Sequence, residues 1–85
     1  MEVHYKPSFL RDFKKLSPQA QIDAKEKITL FAEVKNHEKL RVHKLTGQLK
    51  NYYSFSVTYS HRIVFTYEGK NTAVLLAIGD HDIYK

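Results

Sequence analysis

The sequence predicts one α+β domain in which a strand and a helical hairpin precede a three-stranded antiparallel meander, in the order β-α-α-β-β-β. Two stretches in the first 35 residues carry apolar side chains at helical spacing. Three stretches after residue 52 alternate between apolar and polar residues or are continuously apolar, which is typical of strands. The chain has 85 residues, of which 42% are hydrophobic and 27% charged, so we expect residues 1–85 to form a single folded domain.

The first strand and the first helix are separated by Pro7. Val3 and Tyr5 alternate with polar residues, which indicates a short strand over residues 2–6. Ser8 is the expected N-cap of the helix that follows. Its core-facing side chains are spaced by four and three residues: Phe9, Phe13 and Leu16.

The second helix has a clearer start. Ser17 is suited to cap it, and Pro18 occupies the first helical position, where a missing N–H costs nothing. We expect this helix to continue to about Lys35 and to pack against the first as an antiparallel hairpin. Its apolar stripe consists of Ala20, Ala24, Ile28 and Phe31, widened by Ile22, Leu30 and Val34.

A basic segment follows the helices. Residues 35–50 hold five lysines and arginines against one glutamate, and so contain most of the net charge of +5. We expect an irregular connection here, with a short strand near residues 40–42 and a turn at Gly47. A basic surface of this kind favours a polyanionic partner, either nucleic acid or an acidic protein.

The remaining sequence is predicted to be β. Residues 53–59 alternate, with Tyr53, Phe55, Val57 and Tyr59 on the core face. A turn at residues 60–61 leads to a second alternating strand, 62–67, and a hairpin turn at 68–71 leads to the last. The last strand, 72–79, is nearly all apolar, which predicts a central strand buried on both faces.

The residues suited to chemistry lie near the end of the chain. Alternation places Arg62 on the face of the sheet that the helices leave partly open, where His81 and Tyr84 could join it. An arginine stabilises charge on a phosphorane-like transition state, a histidine transfers protons, and a tyrosine stacks on a base or donates to phosphate. The sequence also allows Arg62 to be a solvated charge or a partner of Asp80 or Asp82, His81 to be a surface residue and Tyr84 to anchor the tail.

Several other classes of function are disfavoured by composition. Without cysteine the chain has no disulfide and no thiolate metal site, and its three separated glycines form no phosphate-binding loop. We expect no metal and no cofactor. Because we find neither a signal peptide nor an apolar run of about 20 residues, we expect a cytoplasmic protein without membrane contact.

Three segments together resemble the RelE/ParE superfamily of toxins from type II toxin–antitoxin modules. They are residues 43–47 (HKLTG), 61–67 (HRIVFTY) and 78–84 (IGDHDIY). The resemblance implies a RelE-like fold, a cognate antitoxin, and ribosome-dependent cleavage of mRNA by metal-free attack of the 2′-hydroxyl. It assigns the transition-state role to Arg62, catalysis to His81, orientation of the substrate to Tyr84 and a weaker catalytic match to His43.

The resemblance leaves two questions open. The general base is His43, Glu38 or His81 itself. The ParE branch shares the fold but poisons DNA gyrase, and an inert homologue would act only as an antitoxin partner; Arg62 with His81 favours the nuclease. In that case ribosomal RNA is expected to be bound through the basic rim: Lys35, Lys39, Arg41, Lys44 and Lys50.

Overall fold

The chain folds as two helices against one five-stranded sheet. The structure, a computed structural model, describes residues 1–47 and 51–80. Its elements are β1 (Glu2–Tyr5), α1 (Pro7–Lys14), α2 (Pro18–Phe31), a single 3₁₀ turn (Val34–Asn36), β2 (His43–Lys44), β3 (Tyr53–Ser56), β4 (Arg62–Tyr67) and β5 (Thr72–Gly79).

The strands are arranged in the order β1-β5-β4-β3-β2. The predicted meander β3-β4-β5 is antiparallel and forms the middle of the sheet. On one edge β1 pairs with β5 in parallel, and on the other the two-residue β2 pairs with β3. The α+β class and the element order are confirmed, and β2 is the short strand expected in the basic connection.

The core is an aromatic cluster between α2 and the sheet. The ring of Phe31 stacks on Phe55 at 4.3 Å between centroids and meets the edge of Phe65 at 4.7 Å. All three side chains are fully buried. Rings in such offset and edge contacts gain about 0.5–1.5 kcal/mol per pair beyond their burial. This cluster therefore fixes the position of α2 over β3 and β4.

Helix α1 is fastened to β5 by polar side chains. The Ser8 hydroxyl donates to the carbonyl oxygen of Leu76 at 2.6 Å, and Asp12 Oδ2 accepts from the backbone N–H of Ile78 at 3.3 Å. The expected capping role of Ser8 is wrong, because the N-cap is Lys6, which makes no side-chain capping bond. Ser8 lies inside the helix and ties it to the sheet.

Helix α2 begins where the sequence predicts and ends four residues earlier. Ser17 accepts a hydrogen bond from the N–H of Ala20 at 3.2 Å. The helix stops at Phe31, not at Lys35, and two side chains from the following turn bind its last carbonyl groups. Asn36 Nδ2 donates to the oxygen of Leu30, and His37 Nε2 lies 2.8 Å from that of Phe31.

The apolar stripe of α2 is narrower than predicted. Ala20, Ala24, Ile28 and Phe31 are buried as expected. The three residues predicted to widen the stripe are exposed instead: Ile22, Leu30 and Val34. Among the described residues, no helix is long and apolar enough to cross a bilayer.

Two strand boundaries also differ from prediction. The strand expected near residues 40–42 lies at His43–Lys44, because Leu40 is buried in the core and Arg41 has a φ of +59°, which interrupts extended backbone. Strand β3 ends at Ser56, so Tyr59 lies beyond it and is 97% exposed rather than in the core. Strand β5 has the predicted bounds.

Candidate active site

Strand register places two of the predicted site residues on the sheet face away from the helices. His43 pairs with Ser54, and Ser56 pairs with Arg62. Directly paired residues in an antiparallel ladder share a face, as do residues two apart on one strand. His43 and Arg62 therefore lie on the same face, about 12 Å apart at their Cα positions by ideal strand spacings.

The middle of this face is closed. Ser54 is 0% exposed, and Val64, its partner across the ladder, is buried. This face is accessible at the end where β3 leads into β4, where Arg62 is half-buried, and at its β2 edge, where His43 is exposed.

A cleft of about 290 Å³ occupies that end of the sheet. The described residues that line it are two arginines, two hydroxyl residues and one tyrosine: Arg41, Ser56, Thr58, Tyr59 and Arg62. None of these five is acidic. Guanidinium and hydroxyl donors around a small concavity are suited to a phosphate group.

The Arg62 guanidinium is held by the loop between β3 and β4. Nη1 donates to the carbonyl oxygens of Thr58 at 2.8 Å, His61 at 3.1 Å and Tyr59 at 3.2 Å. Among the described residues, the hydrogen bonds from the guanidinium to these three carbonyl oxygens all use Nη1. A guanidinium also carries donors on Nε and Nη2, which have the fork geometry that matches phosphate oxygens.

His43 is fixed in one tautomer beside the cleft. Its Nδ1 lies 2.7 Å from the carbonyl oxygen of Arg41, which can only accept, so Nδ1 carries the proton. In the neutral ring Nε2 is then the unprotonated acceptor. His43 does not line the cleft itself, but its ring is hydrogen-bonded to the backbone of Arg41, which does.

The other described cations of the predicted basic rim lie on different elements of the structure. Lys35 pairs with Glu33 at 3.2 Å beyond the end of α2. Lys44 pairs with Tyr53 in the sheet, which puts its side chain on the opposite face from His43. Lys39 is exposed in the turn before Arg41. His81, Tyr84 and Lys50 lie outside the described residues.

Glu38, the other described candidate for the general base, is exposed and does not line the cleft. Its backbone carbonyl accepts from the N–H of Arg41 at 3.1 Å. His43 thus meets Arg41 through its side chain, whereas the hydrogen bond between Glu38 and Arg41 is made by the Glu38 backbone.

Sequence reasoning missed the contribution of the β3–β4 loop. Thr58 Oγ1 accepts from the N–H groups of Ser60 and His61, at 3.3 and 3.2 Å. This turn directs Tyr59 to solvent. Thr58 is a signal for this turn in the sequence, because a threonine hydroxyl often accepts hydrogen bonds from backbone N–H groups two or three residues later.

The second described concavity has a different character. A groove of about 400 Å³ runs between α1 and α2, and aromatic and aliphatic side chains dominate its lining. The Lys25 ammonium lies 5.9 Å from the centre of the Phe13 ring at this groove. Its described lining contains no arginine and no histidine, and its side-chain donors are those of Tyr5, Lys25 and Thr29, so it offers less for phosphate chemistry than the cleft at Arg62.

Sequence comparison gives one family match over almost the whole chain. The model of the family described as "ParE toxin of type II toxin-antitoxin system, parDE" matches residues 3–83. No curated protein sequence matches significantly.

Several solved structures share the fold. YafQ from E. coli superimposes with a TM-score of 0.75 at 17% identity, over 98% of this chain and 96% of that one. The YoeB–YefM complex from Staphylococcus aureus gives 0.73 at 20% identity, over 95% and 97%. The RelBE2 toxin–antitoxin complex from Mycobacterium tuberculosis gives 0.70 at 20% identity, over 94% and 96%. The predicted RelE-like architecture is therefore confirmed.

Proposed function

Because the chain belongs to the ParE toxin family of type II toxin–antitoxin systems, we propose that it is a toxin that stops translation in the cytoplasm by cutting mRNA on the ribosome. A cognate antitoxin, acidic where it meets this basic chain, would neutralise it. The observation that carries the proposal is the meeting of Arg62 and Arg41 in one cleft, with His43 bonded to the Arg41 carbonyl oxygen.

Arg62 is assigned to the scissile phosphate. Its Nη1 is bonded to the loop, so the orientation of the guanidinium is fixed before substrate arrives. The Nε and Nη2 donors would bind two phosphate oxygens and stabilise the charge that grows on them in the transition state. Because the donors are already oriented, little reorganisation is needed at the moment of reaction.

His43 is assigned as the general base. Its Nε2 takes the proton of the mRNA 2′-hydroxyl, and the 2′-oxygen bonds to phosphorus. The bond from phosphorus to the 5′-oxygen of the next nucleotide breaks, and His81 delivers a proton to that oxygen. The products are a 2′,3′-cyclic phosphate and a 5′-hydroxyl. The assignment of His81, and of Tyr84 to substrate orientation, rests on the superfamily resemblance.

Arg41 supplies the second positive charge of the cleft, and with the exposed Lys39 it would bind backbone phosphates. Such contacts give affinity that falls steeply with salt and carries no sequence preference.

A second candidate function is inhibition of DNA gyrase, and the name of the matching family favours it. It requires a binding surface but no proton transfer. The two candidates therefore differ in their dependence on His43.

The test is induced expression of the full chain without a partner, with protein synthesis, DNA synthesis and mRNA 5′ ends followed together. We expect rapid translation arrest and new cleavage sites within translated mRNA. His43→Asn retains an amide donor for the Arg41 carbonyl but has no basic nitrogen, and should slow cleavage by about 10²–10⁴-fold. Arg62→Lys retains the charge without the fork and should cost about 10²–10³-fold.

Arg11→Ala is the matched control, because it removes an exposed arginine of α1 that is not part of the site. It should cleave as the parent does, and thermal melting should show all three variants folded. Arrest with intact mRNA and blocked DNA synthesis, unchanged in His43→Asn, would move the chain to the gyrase branch.

A further inference from the structure

Tyr59 is an exposed aromatic side chain on a loop whose backbone is firmly bonded. It is 97% exposed, the most exposed large apolar side chain among the described residues. The loop oxygens of Thr58, Tyr59 and His61 all accept from Arg62 Nη1, and the N–H of Val57 donates back to His61 at 3.0 Å. Exposure of Tyr59 is therefore not a consequence of a loosely held chain.

The surroundings of this ring indicate the chemistry of its partner. Tyr59 lines the same cleft as Arg41 and Arg62, together with the hydroxyls of Ser56 and Thr58. A nucleotide consists of a planar base joined through a sugar to a phosphate. Its base is suited to the Tyr59 ring and its phosphate to the two arginines. Aromatic side chains beside a positive groove are the usual means of binding single-stranded nucleic acid.

We propose that Tyr59 stacks on an unpaired RNA base while the phosphate of that nucleotide lies between Arg41 and Arg62. This inference rests on the proposed function and adds a residue that positions the substrate. Since every base has a π-face, stacking on Tyr59 needs no base-edge hydrogen bonds and tolerates any base. The proposal commits to RNA, and an antitoxin contact at Tyr59 is the competing outcome.

The experiment measures binding without catalysis. The full chain is titrated with a trinucleotide whose 2′-hydroxyls are methylated and therefore cannot attack, and with ribose 5-phosphate, which has the phosphate but no base. Tyr59→Leu should weaken the trinucleotide about 5- to 150-fold, the range for loss of one stacked base. Tyr59→Phe, which keeps the ring, should stay within about twofold of the parent.

Two controls separate stacking from other effects. Tyr59→Leu should leave the affinity for ribose 5-phosphate unchanged, whereas Arg62→Lys should weaken both ligands. Tyr5→Leu removes another exposed tyrosine, one that lies against Phe9 in the groove between the helices, and should leave trinucleotide binding unchanged.

The outcomes distinguish this inference from the proposed function. If Tyr59→Leu binds the trinucleotide as tightly as the parent, stacking is refuted even where mRNA is still cleaved. If Tyr59→Leu weakens binding of the antitoxin but not of the trinucleotide, Tyr59 belongs to a protein interface and the inference is overturned. If trinucleotide affinity depends on Tyr59 but the chain leaves mRNA intact, the stacking site is upheld and the proposed nuclease activity is rejected.

Discussion

Arg41 holds a backbone conformation that its side chain disfavours, and replacing it by glycine should stabilise the protein. Its φ is +59°, the only positive φ at a non-glycine position among the described residues. The left-handed region costs an L-residue about 1–2 kcal/mol, whereas glycine enters it freely. Glycine also loses about 0.5–1 kcal/mol more on folding, through its greater freedom in the unfolded chain. These ranges differ by about 0–1.5 kcal/mol, so Arg41→Gly should raise the unfolding free energy by about 0.75 kcal/mol, the midpoint.

The matched variant is Arg41→Ala, which removes the same guanidinium but leaves a Cβ in the disfavoured conformation. Thermal melting should place Arg41→Gly about 3–6 °C above Arg41→Ala, given roughly 4–8 °C per kcal/mol for a domain of this size. The backbone N–H of Arg41 donates to Glu38 and its carbonyl oxygen accepts from His43, and both bonds are available to either variant. The difference in melting temperature therefore measures the φ effect less the greater unfolded-state freedom of glycine.

RNA binding should weaken in Arg41→Gly even though its stability rises. Both variants lose one of the two positive charges of the cleft, so both should bind RNA more weakly and with a shallower salt dependence than the parent. An Arg41→Gly chain that melts at or below Arg41→Ala would refute the strain argument. A chain that gains stability and keeps full RNA affinity would refute the assignment of Arg41 to the phosphate site.

Three further predictions concern the core and its edges. Phe31→Ala should lower the unfolding free energy by about 3–5 kcal/mol, since its ring is fully buried between two others; urea titration measures this, and Phe31→Leu should cost less. His37→Ala should cost about 1–3 kcal/mol, because the ring both stacks on Phe31 at 4.8 Å and donates to its carbonyl oxygen, yet mRNA cleavage should be unchanged at equal folded concentration. Burial, and secondarily the nearby Tyr53, raise the pKa of Tyr67 above its ordinary value. Stability should thus hold below about pH 10, the pKa of an unfolded tyrosine, and decline as pH rises through the higher folded value. Urea titrations at alkaline pH should show a smaller decline for Tyr67→Phe, and an unchanged decline would contradict this origin.

Sequence alone predicted elements whose signals are local. Strand β5 was predicted with both ends, because its continuous apolar run is bounded by polar residues. The start of α2 followed from Ser17 and Pro18, whose effects depend on one turn of chain. The end of α2 was missed because residues 32–35 are all compatible with a helix. It is bonds from Asn36 and His37 to the last carbonyls that stop it.

The site was predicted less completely for a similar reason. Alternation placed Arg62 on the correct face, but the same alternation continued past the end of β3 and wrongly put Tyr59 in the core. His43 reaches the Arg62 face only through a two-residue strand, which is too short to have a periodic signal. The positive φ of Arg41 has no sequence signature, since arginine rarely adopts it.

The position of β5 has a consequence for the order of synthesis. This strand lies between β1 and β4, although it is the last of the described strands to be made. A nascent chain that has not yet exposed residues 72–79 leaves β1 without a partner and one edge of β4 without its hydrogen-bonded neighbour. Pairings between distant segments must wait for the later segment. The sheet that holds Arg62 in place is therefore completed only after residues 72–79 have been made, so the site around Arg62 is one of the last parts of the described chain to form.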